Sequence, residues 1–260
     1  MTNSLWCIVT PLHRVASFAM EKRLRSPTQR RRECGTLCDI LRFKIRRGVD
    51  TMSLLGILGT VHGDYEKRIQ FGYSAELLQK VILDFKPDII CGEVRPEDWQ
   101  KHQIDKNYAG YLGPFEYRNI ILPLCEKNDI VFEPVDWFED DLINYDFDMH
   151  ISKEELEGLY NCINELNNKL FEIGKSSSLP YNSFEMNEHI KAKYIKMRDI
   201  IPIEDLVTWE ARNHIMLARI RRVADVSTDK RILCTVGFEH TYFYYEQLIK
   251  CGYNVKFPVC

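Results

Sequence analysis

LLGILGTVHGDYEKRIQFGYSAELLQKVILDFKPDIICGEVRPE, residues 54–97, decides the fold. Leu54–Leu58 is a short apolar run, and Gly59-Thr60-Val61-His62-Gly63-Asp64 breaks it. Ser74 can cap a helix in which Leu77, Leu78, Val81, Ile82 and Phe85 recur at helical spacing. Lys86-Pro87 stops that helix, and Asp88–Gly92 is a second apolar run that ends on Glu93. This is a βαβ unit, whose strands are most simply parallel. In such sheets the groups just past the strand C-termini line the ligand crevice, and His62 and Glu93 both fall there.

The first unit sets the pattern for the rest of the chain. Ile130–Val135 reads as a third strand ending at Asp136, after a helix over Pro114–Lys127 carrying Phe115, Ile120, Ile121 and Leu124. Asp98–Gly113 is polar and reads as a loop over the strand ends, and the acidic run 139–148 as a solvated loop. A helical region follows. Ser152 and Glu155 have capping-box spacing at the head of a helix over 152–173, a linker spans Lys175–Pro180, and a more polar helix runs over 183–200. Glu204–Val223 is the strongest helix, with Trp209, Met216, Ile220 and Val223 as its apolar stripe and Arg212 on that same stripe. An arginine there needs an anionic partner, either a structural carboxylate or a ligand. Arg231–Val236 is a fourth strand, broken at Gly237-Phe238-Glu239-His240, then a helix over Thr241–Lys250, a stop at Gly252 and a last strand over Asn254–Pro258. The expected architecture is α/β: a central, mostly parallel sheet flanked by helices, with a helical insertion at about 140–225 before the C-terminal strand pair.

Composition narrows the setting. A chain of 260 residues, 45% hydrophobic, suffices for one large domain with a substantial core, expected over residues 52–260. The net charge of −3 gives no general case for nucleic-acid or membrane binding. Residues 1–50 hold eleven Lys/Arg against four Asp/Glu, so this basic segment is offset by an excess of ten negative charges in the remainder. The segment has no sustained periodicity. It reads either as an Arg-rich targeting peptide or as a disordered or upstream extension ahead of a natural start at Met52. Glu21, Glu33 and Asp39, and an apolar stretch of only Leu5–Val9, favour the extension. No uninterrupted apolar run is long enough to span a membrane. Nine cysteines at spacings that match no zinc ribbon or finger, two of them inside strand candidates at Cys91 and Cys234, point to a reducing, cytoplasmic setting.

Two Gly-x-x-His turns follow two strands, Gly59…His62 and Gly237…His240, with Glu93 and Asp136 at the ends of two more. Glycine would let the chain leave the strand with unusual dihedrals and drop the histidine at the crevice rim. Two histidines with one carboxylate can hold a divalent metal with open positions for water or substrate. The same groups without metal can run general acid–base chemistry. His13, His102, His150, His189 and His214 lack this context, and Tyr242–Tyr245 reads as helix packing rather than a haem or base-stacking platform.

LLGILGTVHGDYE, KPDIICGEV and the second Gly-x-x-His resemble, in order and spacing, the TraB/PrgY–GumN–Tiki superfamily with its ChaN-like and erythromycin-esterase-like branches. ARNHIMLARI resembles the helix that precedes the second histidine motif, matching at Arg212, Asn213 and Arg219. The resemblance covers about residues 53–258. It implies an α/β fold with a helical insertion. In Tiki-like members it implies metal-dependent peptidase activity attributed to the residues matching His62, Glu93 and His240. It implies metal-free hydrolysis in the erythromycin-esterase branch, haem or iron binding in ChaN-like proteins and peptide-pheromone shutdown in TraB proteins. With no apolar run long enough to span a membrane, the chain is expected to depart from the membrane-anchored Tiki and many TraB proteins.

The expectation is therefore a hydrolase of a peptide or small molecule. His62, Glu93 and His240 would bind a divalent metal (Mn, Co or Zn) or activate water directly. Arg212 would stabilise an anionic intermediate or orient Glu93, with Asp136, Asn213 and Asp64 supporting them. The alternative is a non-catalytic protein that binds a peptide, haem or metal in the same crevice.

Overall fold

The computed structural model describes residues 53–139, 152–176, 179, 181–201 and 203–258. The expectations for the basic segment and for most of the acidic run fall outside these residues. Five strands form one sheet: β1 (Leu54–Thr60), β2 (Ile89–Gly92), β3 (Val131–Pro134), β4 (Arg231–Gly237) and β5 (Asn254–Lys256). Their order is β3-β2-β4-β1-β5 and every pairing is parallel. β1 and β4 are buried along almost their whole length, which is why they read as unbroken apolar runs rather than as alternating patterns.

The helices begin where side chains can satisfy the free backbone donors. Asp64 caps α1 (Tyr65–Gln70), accepting from Lys67 N, and Ser74 caps α2 (Ala75–Phe85), accepting from Leu77 N. Leu78, Val81, Ile82 and Phe85 bury the inner face of α2, and Lys86 ends it in the left-handed conformation. Pro96–Ile104 is a helix, α3, where a loop is expected from the sequence. Pro96 in its first turn and Glu97 and Asp98 beside it favour a helix start, but its apolar face is too weak to show as periodicity. A π-helical turn, Tyr117–Ile121, leads into α4 (Leu122–Lys127).

Three long helices separate β3 from β4: α5 (Lys153–Ser176), α6 (Phe184–Ile200) and α7 (Ile203–Val226). The capping box at the head of α5 forms as expected: Ser152 N donates to Glu155 Oε2 at 2.9 Å and Glu155 N to Ser152 Oγ at 3.3 Å. A short 3₁₀ turn (Phe238–His240) and α8 (Thr241–Lys250) connect β4 to β5. Among the described residues no helix is long and apolar enough to cross a membrane.

One feature of the topology places the site. β2 and β4 are neighbours, and the chain leaves β2 towards β3 on one side and β4 towards β5 on the other. Neighbouring strands whose exits diverge leave a crevice at their C-terminal ends. Glu93 and the second Gly-x-x-His turn are the exits from these two strands, and the first Gly-x-x-His turn leaves β1 beside β4.

Candidate active site

Glu93, just past β2, has no exposure and is the centre of the cluster. His62 Nε2 lies 3.1 Å from its Oε2 and His240 Nε2 lies 3.4 Å from its Oε1. Gly237 N donates to Oε2 at 3.1 Å, and Arg212 Nη2 stands 3.5 Å from Oε1. Arg212 is held mainly by Asp136, past the end of β3: Nε to Oδ1 at 2.7 Å and Nη2 to Oδ2 at 3.1 Å, a bidentate pair. Arg219, two turns along α7, donates to the Asp136 carbonyl. His62, Glu93, Asp136, Arg212, Asn213 and His240 thus come together at the ends of four adjacent strands. Asp64 does not: it is exposed and caps α1, because the backbone of that first helical turn claims its carboxylate.

The glycines of the two motifs serve a different purpose from the one expected. Neither Gly59 nor Gly237 has positive φ; Gly237 sits at φ −52 and ψ 136, open to any residue. They are needed for space, and reciprocally. A Cβ on Gly237 would lie 2.6 Å from His62 Nε2, and a Cβ on Gly59 would lie 2.9 Å from Thr241 Cγ2 and 3.0 Å from the Phe238 backbone. Each glycine makes room for the turn that follows the other strand, since Thr60 pairs with Gly237 across the β1–β4 ladder. Gly237→Ala is therefore expected to fold with a loss of about 1–3 kcal/mol, typical of overpacking, and to push His62 off Glu93. Thermal unfolding together with the imidazole NMR signals of His62 would check both halves.

The two imidazoles share Glu93 but differ at Nδ1. His62 Nδ1 donates to Glu116 Oε1 at 2.6 Å, so this ring lies between two fully buried carboxylates. Burial lowers its affinity for protons, but Glu116 and then Glu93 outweigh burial and raise its pKa to about 10. His240 Nδ1 lies 2.6 Å from Asn213 Oδ1. Asn213 Nδ2 donates to Trp209 O at 3.0 Å, which turns Oδ1 towards His240, so the Nδ1 proton belongs to His240 and its Nε2 carries a lone pair. Burial pushes the His240 pKa down to about 3, with Arg212 and His62 adding to the effect and Glu93 and Glu239 opposing it. The ring is stacked 4.3 Å from Trp209. At neutral pH the site holds one charged and one neutral imidazole on one carboxylate. Burial opposes the charge of Glu93, but His62, Arg212 and His240 outweigh it and hold the carboxyl well below the usual range.

Sequence reasoning did not find Glu116. It lies immediately before the π-helical turn and has no exposure. A signal existed, since Glu116 is four residues from Ile120 and so shares a helical face with that apolar residue, the situation that singled out Arg212. Arg68, also fully buried, left no comparable signal, because its burial depends on the short helix α1.

As a metal centre the cluster fits poorly. Among the described residues no group of three or more His, Cys, Asp or Glu is placed to hold a metal ion. The Arg212 guanidinium stands 3.3 Å from His240 Nε2 and 3.5 Å from Glu93 Oε1, against the same two atoms that would bind the ion. A dication beside that fixed charge would be repelled.

No family model, no curated protein and no solved structure matches this chain.

Proposed function

We propose that this protein is a hydrolase of a peptide, ester or similar acyl bond that activates water with its own side chains. The observation that carries this reading is a single one: two histidines with oppositely displaced proton affinities meet on the two oxygens of one buried glutamate. Paired titratable groups pushed apart in this way are the usual basis of acid and base roles. In the proposed reaction His240 Nε2 takes a proton from water as the water oxygen attacks the acyl carbon, and Glu93 stabilises the imidazolium so formed. Arg212, fixed by Asp136 and standing beside His240 Nε2 and Glu93 Oε1, brings its positive charge to the anionic oxygen. His62 gives a proton from Nε2 to the leaving group, and the proton taken up by His240 then passes to His62 by way of Glu93, on which both Nε2 atoms lie, to restore the starting state. The resemblance of the two Gly-x-x-His turns to the TraB/PrgY–GumN–Tiki superfamily supports hydrolysis, and its erythromycin-esterase-like branch implies the metal-free form. A cytoplasmic setting belongs to this proposal too and draws on the five described cysteines, all free thiols.

The test is a panel of peptide, ester and lactone substrates, each assayed with chelator and with added Mn²⁺, Co²⁺ or Zn²⁺. Turnover is expected to survive chelation, and His62→Gln and His240→Gln are each expected to reduce it by about 10²–10⁴-fold. Unchanged turnover in both variants would exclude the mechanism. Strict dependence on added metal would favour the metal-bound version over the one proposed. A wild-type protein without turnover that carries metal by elemental analysis, or haem by its absorption, would be the binding protein instead.

A further inference from the structure

We infer that Glu116, held in place by Thr60 and Arg68, is the positioning residue that fixes the His62 ring on Glu93, and that Asn213 is its counterpart for His240. The catalytic half of this inference rests on the hydrolase reading; the positioning half does not.

Three elements converge on Glu116. Thr60, the last residue of β1, has Oγ1 3.0 Å from Glu116 Oε1 and 3.2 Å from Val236 O on β4, so its place is set by the sheet. His62 Nδ1 reaches the same Oε1. The other oxygen, Oε2, is buried and has no hydrogen-bond partner among the described residues, but it faces Arg68 Nη1 at 3.7 Å. Arg68 is tied to the turn that carries His62. Its Nη1 donates to Val61 O at 2.5 Å, and its guanidinium lies 5.1 Å from the ring centre of Tyr73, whose hydroxyl donates to Gly59 O at 2.8 Å.

A carboxylate without exposure is tolerated only beside positive charge. Glu116 has Arg68 on one side and His62 on the other. The charged and titratable groups facing His62 are Glu93 and Glu116, with His240 across the same Glu93 carboxylate; those facing His240 are Glu93, Arg212, His62 and Glu239.

This arrangement makes the two histidines inequivalent by design of their outer contacts. Each ring is locked through Nδ1, so each presents Nε2 to Glu93. The lock on His62 is an anion and the lock on His240 is an amide. An outer partner of this kind fixes both the tautomer and the direction of the ring.

The test uses the full chain with ¹⁵N-labelled histidine, comparing wild type with Glu116→Gln, which preserves side-chain volume. In wild type the short bond to Glu116 is expected to give His62 a strongly deshielded Nδ1 proton, and in E116Q that resonance is expected to vanish. On any substrate the wild type turns over, E116Q is expected to lower kcat by about 10²-fold or more with KM little changed. A His62 spectrum that is the same in both proteins overturns the inference, whatever the rate. Should E116Q fail to fold, the wild-type spectrum decides: a deshielded His62 Nδ1 proton upholds the inference and its absence overturns it. A spectrum that responds to E116Q in a protein with no turnover leaves the positioning role standing and removes the hydrolase reading alone.

Discussion

Glu93→Ala is expected to lower stability by about 3–5 kcal/mol, the range for removing one partner of a buried ionic cluster. Glu93 is fully buried and meets His62, His240, Arg212 and the Gly237 amide. Its loss leaves His62 with Glu116 alone and Gly237 N–H without the carboxylate it donates to. The effect has a pH signature. The carboxyl group is held below its ordinary value of 4.5, so its stabilisation is complete above that value and is lost as pH falls towards the depressed folded value. The gap between wild type and E93A, measured by chemical unfolding, should be constant from neutral pH to about 4.5 and narrow only in stronger acid. A variant within about 0.5 kcal/mol of wild type at pH 7, the range of ordinary surface substitutions, would mean that the cluster is not assembled as described.

Arg212→Leu should show the second large effect. It removes the cation from Asp136, which has no exposure, and from one side of Glu93. A loss of about 3–5 kcal/mol is expected from the uncompensated carboxylate. The double variant Arg212→Leu/Asp136→Leu separates breaking a buried pair from removing it. Replacing both members by apolar groups is often close to neutral, so the double variant should recover much of the stability lost in the single one. Asp136 Oδ1 also accepts from Trp137 N at 2.7 Å, which sets a limit on the recovery. Equal losses in the single and double variants, read from denaturant midpoints, would place the cost in lost packing rather than in an unpaired charge.

The fold was legible wherever backbone chemistry is local. Ser74, Ser152 and Lys86-Pro87 marked helix ends that the structure places where expected, and apolar runs marked the first four strands, with the last one read from the Gly252 stop before it. The insertion of β4 between β1 and β2 was not legible, because strand order depends on contacts more than a hundred residues apart in the chain. The site was legible to the extent that it lies at strand ends: His62, Glu93, Asp136 and His240 could be proposed from their position alone. Arg212 could be read from the face of α7 it shares with Trp209 and Met216, whereas Asn213 was named only through the resemblance of ARNHIMLARI. Glu116 and Arg68 reach the site through tertiary packing of a π-helical turn and a six-residue helix; Glu116 left only its four-residue spacing to Ile120 as a signal, and the helix of Arg68 is too short for periodicity to announce a buried charge. The role of Gly237 was hidden for a related reason: the atom it makes room for belongs to the other motif.

The opposed histidines also shape stability against pH. His62, raised to about 10, contributes stability that is complete below its ordinary value of 6.5 and is lost as pH climbs towards 10. His240, lowered to about 3, is neutral when folded, so its burial costs stability progressively as pH falls from 6.5 towards 3. His62→Gln should flatten the alkaline limb of the stability profile and His240→Gln the acidic one.

The most direct measurement is a titration of the imidazole signals of ¹⁵N-histidine-labelled protein. His62 is expected to remain charged well past pH 7 and to release its proton near 10, while His240 is expected to stay neutral, with its proton on Nδ1, down to about 3. Two histidines that titrate together near the ordinary value of 6.5 would contradict the account.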